Sequence, residues 1–249
     1  MKYIASCSFG KDSLAMLLKI LELGLPLDEV VYCDIRFDEK SLSGETPEMA
    51  AWIPQAEKIL KDKFNVTVKR ISSKWTFKSH FYRVKRKGNH IGDNYGFPYV
   101  VGAWCNSRLK LEPMNKYIKQ ILKSGESVTE YIGIAKDEPK RLERYKKLET
   151  EKHKYVTLSD FNITELEAME ICKQHGLLSP IYQSSFRGGC WFCPKQSHAQ
   201  LKWLYLNHPE LWQLLKEMEK DSHNTFKPNI SIFDLEEKFK KEVQNGKRN

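Results

Sequence analysis

The chain has 249 residues, 41% of them hydrophobic, and a net charge of +9; this suffices for one substantial core, as one large domain or a large domain with a small appendage. No apolar run nears the roughly 18 residues that span a bilayer, and the opening residues lack the basic-then-apolar order of an export signal, so a cytosolic protein with no membrane partner is expected. The positive balance suits a polyanionic partner and equally a solvated surface that attracts nucleotide phosphates.

Lys2 to Cys7 reads as a short buried strand, then a Gly/Ser turn, then Leu14, Leu17, Leu18 and Leu21 at the spacing of one helix face. Gly24 and Pro26 stop that helix. Glu29 to Asp34 reads as a second strand, and Pro47 opens a helix carrying Met49, Trp52, Ile53, Ala56 and Leu60 inward, with Pro54 bending it or marking its true start. Asn65 to Ile71 gives a third strand and Thr129 to Ile134 a fourth. Strand and helix in alternation predict an α/β fold with a doubly wound, mainly parallel sheet. Between the third and fourth strands, Lys85-Arg86-Lys87-Gly88-Asn89-His90 is a basic, glycine-broken stretch. It reads as a mobile loop or hairpin over the site, or as a solvated surface loop.

Thr164-Glu165-Leu166-Glu167 is a capping box opening a helix that ends near Gly176. After Pro194 the chain is helical again, with Leu201, Leu204, Leu211, Trp212 and Leu215 as its apolar members, and the charged stretch from Leu235 to Asn249 is expected to fray.

The turn Ser8-Phe9-Gly10-Lys11-Asp12-Ser13 follows a buried strand and opens a helix, so several backbone N–H groups and the positive end of the helix dipole face one point. Phosphate binds at such a point. Ser8 and Ser13 bring hydroxyls, Gly10 permits close backbone approach, and Lys11 offsets pyrophosphate charge. Asp12 orients a Mg²⁺ ion or its water shell, or caps the helix. The spacing differs from Gly-x-x-x-x-Gly-Lys-Ser/Thr, which disfavours a Walker-type NTPase.

This turn resembles the Ser-Gly-Gly-x-Asp-Ser loop of the PP-loop ATP pyrophosphatases, with Phe9 in place of the first glycine. Three later segments resemble the phosphoadenosine-phosphosulfate (PAPS) reductase-like branch of that superfamily, in the branch's order. They are Val30 to Asp34 with Gly44-Glu45-Thr46-Pro47-Glu48, then Trp104-Cys105-Asn106-Ser107-Arg108-Leu109-Lys110 with Pro113, then Gly133-Ile134-Ala135-Lys136-Asp137-Glu138-Pro139-Lys140-Arg141. The resemblance covers roughly residues 1 to 185 and implies an adenine nucleotide alpha-hydrolase-like fold. It implies that Asp34 receives the adenosine end, that Lys110, Lys136 and Arg141 pair with phosphates, and that Gly133 lies at the nucleotide. The branch's C-terminal Glu-Cys-Gly-x-His segment has no counterpart, since no cysteine follows Cys193. The likeness thus implies the fold and the nucleotide site, not sulfonucleotide reduction.

Six cysteines in a reducing compartment point to metal ligation or burial ahead of disulfides. Gly188-Gly189-Cys190-Trp191-Phe192-Cys193-Pro194 is a Cys-x-x-Cys knuckle, which normally needs two further ligands. Cys105 and Cys172 are the expected ones, with His198 as fallback; Cys7 and Cys33 belong to strands at the nucleotide edge. Four thiolates suit Zn²⁺ or a [4Fe-4S] cluster. Thiolation and DNA-phosphorothioation enzymes of the superfamily resemble this chain in joining a PP-loop to a cysteine cluster, which leans toward iron–sulfur. A redox pair at Cys190 and Cys193 and a buried thiol at Cys172 are the plainer readings.

The expected domains are residues 1–185, binding the nucleotide, and 186–249, the knuckle and its helices. The expected function is an ATP- and Mg²⁺-dependent transferase that adenylates a substrate with release of pyrophosphate, with Lys11, Asp12 and Arg141 at the reacting phosphates. Its acceptor is a nucleic acid (tRNA or DNA) or a small molecule, served by a sulfur donor. The alternatives are a nucleic-acid-binding zinc module and a non-catalytic nucleotide sensor.

Overall fold

A computed structural model describes residues 1–99, 103–184 and 188–246. Five strands form one all-parallel sheet: β1 (Lys2–Ser6), β2 (Glu29–Asp34), β3 (Val68–Ser72), β4 (Val128–Ile132) and β5 (His153–Thr157), in the spatial order β3-β2-β1-β4-β5. The order reverses at β1, so the crevice outside the carboxyl ends of β1 and β4 is where an open α/β sheet receives a ligand.

Alternation along the strands sends side chains to both faces, and both are covered. Ala5, Val30, Tyr32 and Tyr131 pack with α1 (Lys11–Glu22), α2 (Pro47–Phe64) and α6 (Glu165–Gln174). Ile4, Val31 and Val128 pack with α4 (Glu112–Lys123) through Ile118 and, at its edge, Met114 and Tyr117. Glu130 is a charge in this sheet, 6% exposed. Ser6 donates to it at 2.5 Å and His153 Nε2 lies 3.1 Å away, which offsets its burial.

The helix ends follow the local rules. Gly24 (φ +61°) and Gly176 (φ +69°) end α1 and α6 in left-handed caps, with Leu25 N–H donating to Ile20 O and Leu177 N–H to Cys172 O. The expected capping box at Thr164 and Glu167 is present in full. Helix α2 runs from Pro47 through Pro54 to Phe64 without a break.

Several boundaries differ from the sequence reading. Asn65 takes φ +53° and Val66 N–H returns to Leu60 O, so these two residues finish α2 and the third strand begins only at Val68. Strand β5 was not anticipated; its five residues, HKYVT, are too short and too mixed to stand out. The stretch after Pro194 is two helices, α7 (His198–Asn207) and α8 (Pro209–Lys220), because Pro209 supplies no amide to continue the first. The C-terminal stretch forms α9 (Ile232–Gly246), whose Leu235 and Phe239 are buried; Lys247, Arg248 and Asn249 lie outside the described residues.

The chain divides into two compact units, each assembled from separate segments. The first comprises Met1–Asp34, Pro47–Ser73 and Lys110–Gly188, and holds the sheet. The second comprises Ile35–Thr46, Lys74–Leu109 and Gly189–Asn249. Residues 35–46 and 74–109, grouped by sequence with residues 1–185, thus belong with the knuckle. The second unit is built around an aromatic core of Phe37, Phe77, Phe81, Phe97, Trp191 and Phe192, closed by α7 to α9. In it α3 (Phe77–Phe81) leads into a hairpin-like loop, where Val84 bridges Asn94 and Lys85 N–H donates to Asp93 O at 2.8 Å. The basic stretch is the tip of that loop.

Candidate active site

Between β1 and α1 the chain must leave a buried strand and enter a helix within four residues. Phe9 makes this possible by adopting φ +57°, a left-handed conformation that favours glycine. Its ring is fully buried, edge-on to Tyr32 at a centroid distance of 5.0 Å. Left-handed backbone costs about 1–2 kcal/mol, and burying a phenylalanine contributes about 1.5–3 kcal/mol, so packing holds the strained turn in place. The ring points into the core, and the turn keeps the backbone course that a glycine would give it.

The two serines tie the turn together. Ser13 Oγ accepts from Ser8 N–H at 3.0 Å and donates to Gly10 O at 3.0 Å. Its one proton being used, the 3.1 Å contact between the two hydroxyls makes Ser8 the donor there. Gly10, which has no side chain, is the N-cap of α1. Asp12 sits in the first turn with its carboxylate 2.6 Å from Lys11 Nζ, and Glu165 of α6 lies 3.7 Å from the same nitrogen. The Lys11 side chain is only 15% exposed.

Three contacts fix this corner from behind. The Tyr182 hydroxyl accepts from the Lys11 amide at 3.1 Å; burial, the leading influence, raises this phenol's pKa. The Cys172 thiol donates to Lys11 O at 3.1 Å, and burial, with Asp12 nearby, pushes it up to about 12. At Gly133, just past β4, an added Cβ would stand 2.5 Å from Asp12 C and from Ser13 N. Gly133 is thus the point where two backbones meet and serves the site by letting α1 approach β4.

The remaining expected residues are spread over the same unit. Asp34 ends β2, half-buried, in register with Ser72. Neighbouring Cys33 makes a 3.7 Å thiol contact with Lys110 O, while the Lys110 side chain is exposed. Lys136 is exposed with its amide on Ile163 O at 2.8 Å. Arg141 is engaged at 2.6 and 2.7 Å by both carboxylate oxygens of Glu138, one helical turn away on α5 (Pro139–Lys146). Asp137 accepts from the Glu165 amide at 3.0 Å, linking this segment to α6 and hence to Lys11. The structure therefore gathers Ser8 to Ser13, Gly133, Glu165, Cys172 and Tyr182. Sequence reasoning missed Glu165 and Tyr182 as site residues: their contacts with Lys11 span more than 150 positions, Glu165 reads only as part of a capping box, and Tyr182 sits in no motif.

The cysteines divide between the units. Cys172 is buried in the first, where its protonated thiol serves as a donor. In the second, Cys190 bridges Glu45, and Trp191 and Phe192 are both buried in the aromatic core, Phe192 stacked on Phe77 at 3.8 Å. Cys105 and Cys190 pack against that core, and Cys193 N–H closes the knuckle on Cys190 O at 3.2 Å. His198 is paired with Glu242 at 3.1 Å. Among the described residues, no group of three or more His, Cys, Asp or Glu side chains is disposed to hold a metal ion.

No family model matches the chain. It is 34% identical over 130 residues to the uncharacterised nin region protein ORF290 of Escherichia phage lambda, covering 52% of this chain and 41% of that protein. It is 24% identical over 216 residues to the uncharacterised protein MJ0066 of Methanocaldococcus jannaschii, covering 83% of this chain and 39% of that one. The chain thus spans about two fifths of the length of these curated relatives. Among solved structures, the U34-tRNA thiolase NcsA from Methanococcus maripaludis with its [4Fe-4S] cluster is similar at a TM-score of 0.42 and 13% identity, over 98% of this chain and 72% of that one. No helix among the described residues is long and apolar enough to cross a membrane.

Proposed function

We propose that the chain is an ATP-dependent enzyme of the PP-loop ATP pyrophosphatase type, PAPS reductase-like in its nucleotide site, that adenylates an acceptor. One observation carries the reading. At the topological switch of a parallel sheet, the turn holds a phenylalanine in a glycine conformation, with its ring buried and Gly10 left bare. That course brings the bare Gly10 and the start of α1 to the place where an open α/β sheet receives a ligand.

In this reading the β- and γ-phosphates of Mg-ATP lie in the Ser8 to Ser13 turn, near Lys11. An acceptor oxygen attacks the α-phosphorus and the bond to the bridging oxygen breaks. Pyrophosphate leaves, and the acceptor's proton passes to solvent. Positioning and charge neutralisation do most of the work, and Asp12 helps to place the magnesium ion. Lys11 exchanges its carboxylate partners for phosphate oxygens, while Asp34, Lys110 and Lys136 receive the rest of the nucleotide. A sulfur or nitrogen donor then displaces AMP from the acceptor, in sulfur transfer or in modification of a nucleic acid or nucleotide.

The test is release of pyrophosphate from ATP by the wild-type chain and by Lys11→Ala, with RNA, DNA and small-molecule acceptors offered in turn. Loss of one such charge contact should slow release by roughly 10²-fold or more. ATP binding without pyrophosphate release for any acceptor would leave a nucleotide sensor, and release undiminished by Lys11→Ala would remove the turn from the chemistry.

A further inference from the structure

The second unit carries a surface on which cations and aromatic rings alternate. Residues 74–99 contain six Lys or Arg (Lys74, Lys78, Arg83, Lys85, Arg86 and Lys87) and a single acid, Asp93. The Arg83 guanidinium lies over Trp75 at 5.0 Å and over Tyr95 at 6.0 Å. Lys74 lies over Trp75 at 5.2 Å, and Lys85 over Tyr95 at 5.9 Å. Both rings are half-buried and rest on fully buried His80, with centroid distances of 5.8 Å for Trp75 and 4.5 Å for Tyr95.

This arrangement is held in advance. Tyr95 N–H donates to Arg83 O at 3.0 Å across the loop, the Asn94 amide donates to Asp221 O at 2.5 Å, and the Tyr82 hydroxyl donates to the Asp221 carboxylate at 2.8 Å. A partner therefore meets fixed rings and charges and loses little free energy in ordering them.

We propose that this surface binds single-stranded nucleic acid. Strand phosphates would pair with the Lys and Arg side chains, while unpaired bases stack on Trp75 and Tyr95. A duplex keeps its base faces stacked inside and has no use for the rings. An anionic membrane would draw on the same charges and on exposed Val84 and Ile91. Half-buried rings have little depth to insert into lipid, whereas unpaired bases can stack on exposed parts of the rings or on the guanidinium plane of Arg83 that lies over them. The inference deepens the reading of the acceptor given above, but the binding needs neither ATP nor the turn, so either can fail alone.

The experiment is fluorescence anisotropy without ATP, using labelled oligothymidylate and oligouridylate of about 12 nucleotides, within the usual site size of such platforms. An unlabelled duplex of equal length serves as competitor, and sedimentation with phosphatidylserine vesicles tests the lipid alternative. Both strands, or one of the two, should bind, and the duplex should compete at least about tenfold less well. The exposed pair Arg86→Gln with Lys87→Gln should flatten the slope of log affinity against log salt by about 1.4, two phosphates at about 0.7 each. Trp75→Ala should weaken binding about tenfold with the salt slope unchanged, and Trp75→Phe should restore most of it. Should Trp75→Ala misfold by circular dichroism, the Trp75→Phe and Arg86/Lys87 variants still decide. Failure of both strands to bind at low salt, equal binding of duplex, indifference to both the charge and the ring substitutions, or vesicle binding in place of strand binding would each overturn the proposal.

Discussion

Replacing Gly133 by alanine tests the architecture of the proposed site most directly. The new methyl would lie 2.5 Å from two backbone atoms of Asp12 and Ser13 and 2.7 Å from Asp12 O, where ordinary contact begins near 3.4 Å. Backbone stands in the way, so no rotamer change relieves the clash, and the start of α1 must move by about 1 Å. Overpacking of this kind costs about 1–3 kcal/mol, or roughly 2–12 °C in Tm for a chain of this size. A 1 Å displacement of a positioning element can cost about 10²-fold in rate. Gly10→Ala is the control: there a methyl meets only the Tyr182 hydroxyl at 3.3 Å and Ser8 Oγ at 3.4 Å, and φ is −79°, which alanine accepts. Gly10→Ala should therefore keep Tm within a degree or two yet raise KM for ATP, because the methyl stands where phosphate must approach. Pyrophosphate release and thermal unfolding, followed side by side, distinguish the two. A Gly133→Ala protein with unchanged Tm and turnover would refute the packing argument.

Three further outcomes follow from the same contacts. Phe9→Gly should retain the turn and ATP-dependent pyrophosphate release while losing about 2–4 kcal/mol in urea unfolding, the buried ring outweighing the relief of backbone strain. Cys172 and Cys7, with thiols pushed by burial to about 12 and about 11, are protonated in the folded chain. Their contribution to stability is complete below about pH 9 and falls as pH rises through the folded values, and native-state alkylation at neutral pH should spare both. Glu29 feels burial as an upward push, but bonds from Lys2, Tyr117 and Lys69 outweigh it and hold its pKa at about 2. The stability it supplies is present above about pH 4.5 and is lost as pH falls toward 2, at most about 3 kcal/mol. Glu29→Gln should flatten that part of the acid unfolding curve, and an unchanged curve would show that the cluster contributes nothing.

The periodic and capped elements were legible in the sequence because their causes are local. The leucine stripe of α1, the glycine stops after α1 and α6 and the Thr164 capping box each depend on residues within a few positions of one another, as does the turn between β1 and α1. Local pattern also foretold an α/β fold with a parallel sheet, since strand and helix alternate from the first residue. It could not find β5, whose stability comes from pairing with β4, nor the end of α2, where Asn65 takes the left-handed cap that a glycine would mark more plainly.

What only tertiary structure decided is which distant groups meet. Phe9 reads in sequence as a departure from a glycine motif; packing against Tyr32 shows how the side chain and the glycine conformation coexist. Cys172 sits in no local motif, yet its thiol donates to Lys11 O, 161 positions away, and so supports the turn. Tyr182 has no motif at all and reaches the Lys11 amide across 171 positions. Hydrophobic period and cap chemistry act over a few residues and are written in order along the chain. Burial and hydrogen-bond partnership depend on which segments the folded sheet brings side by side.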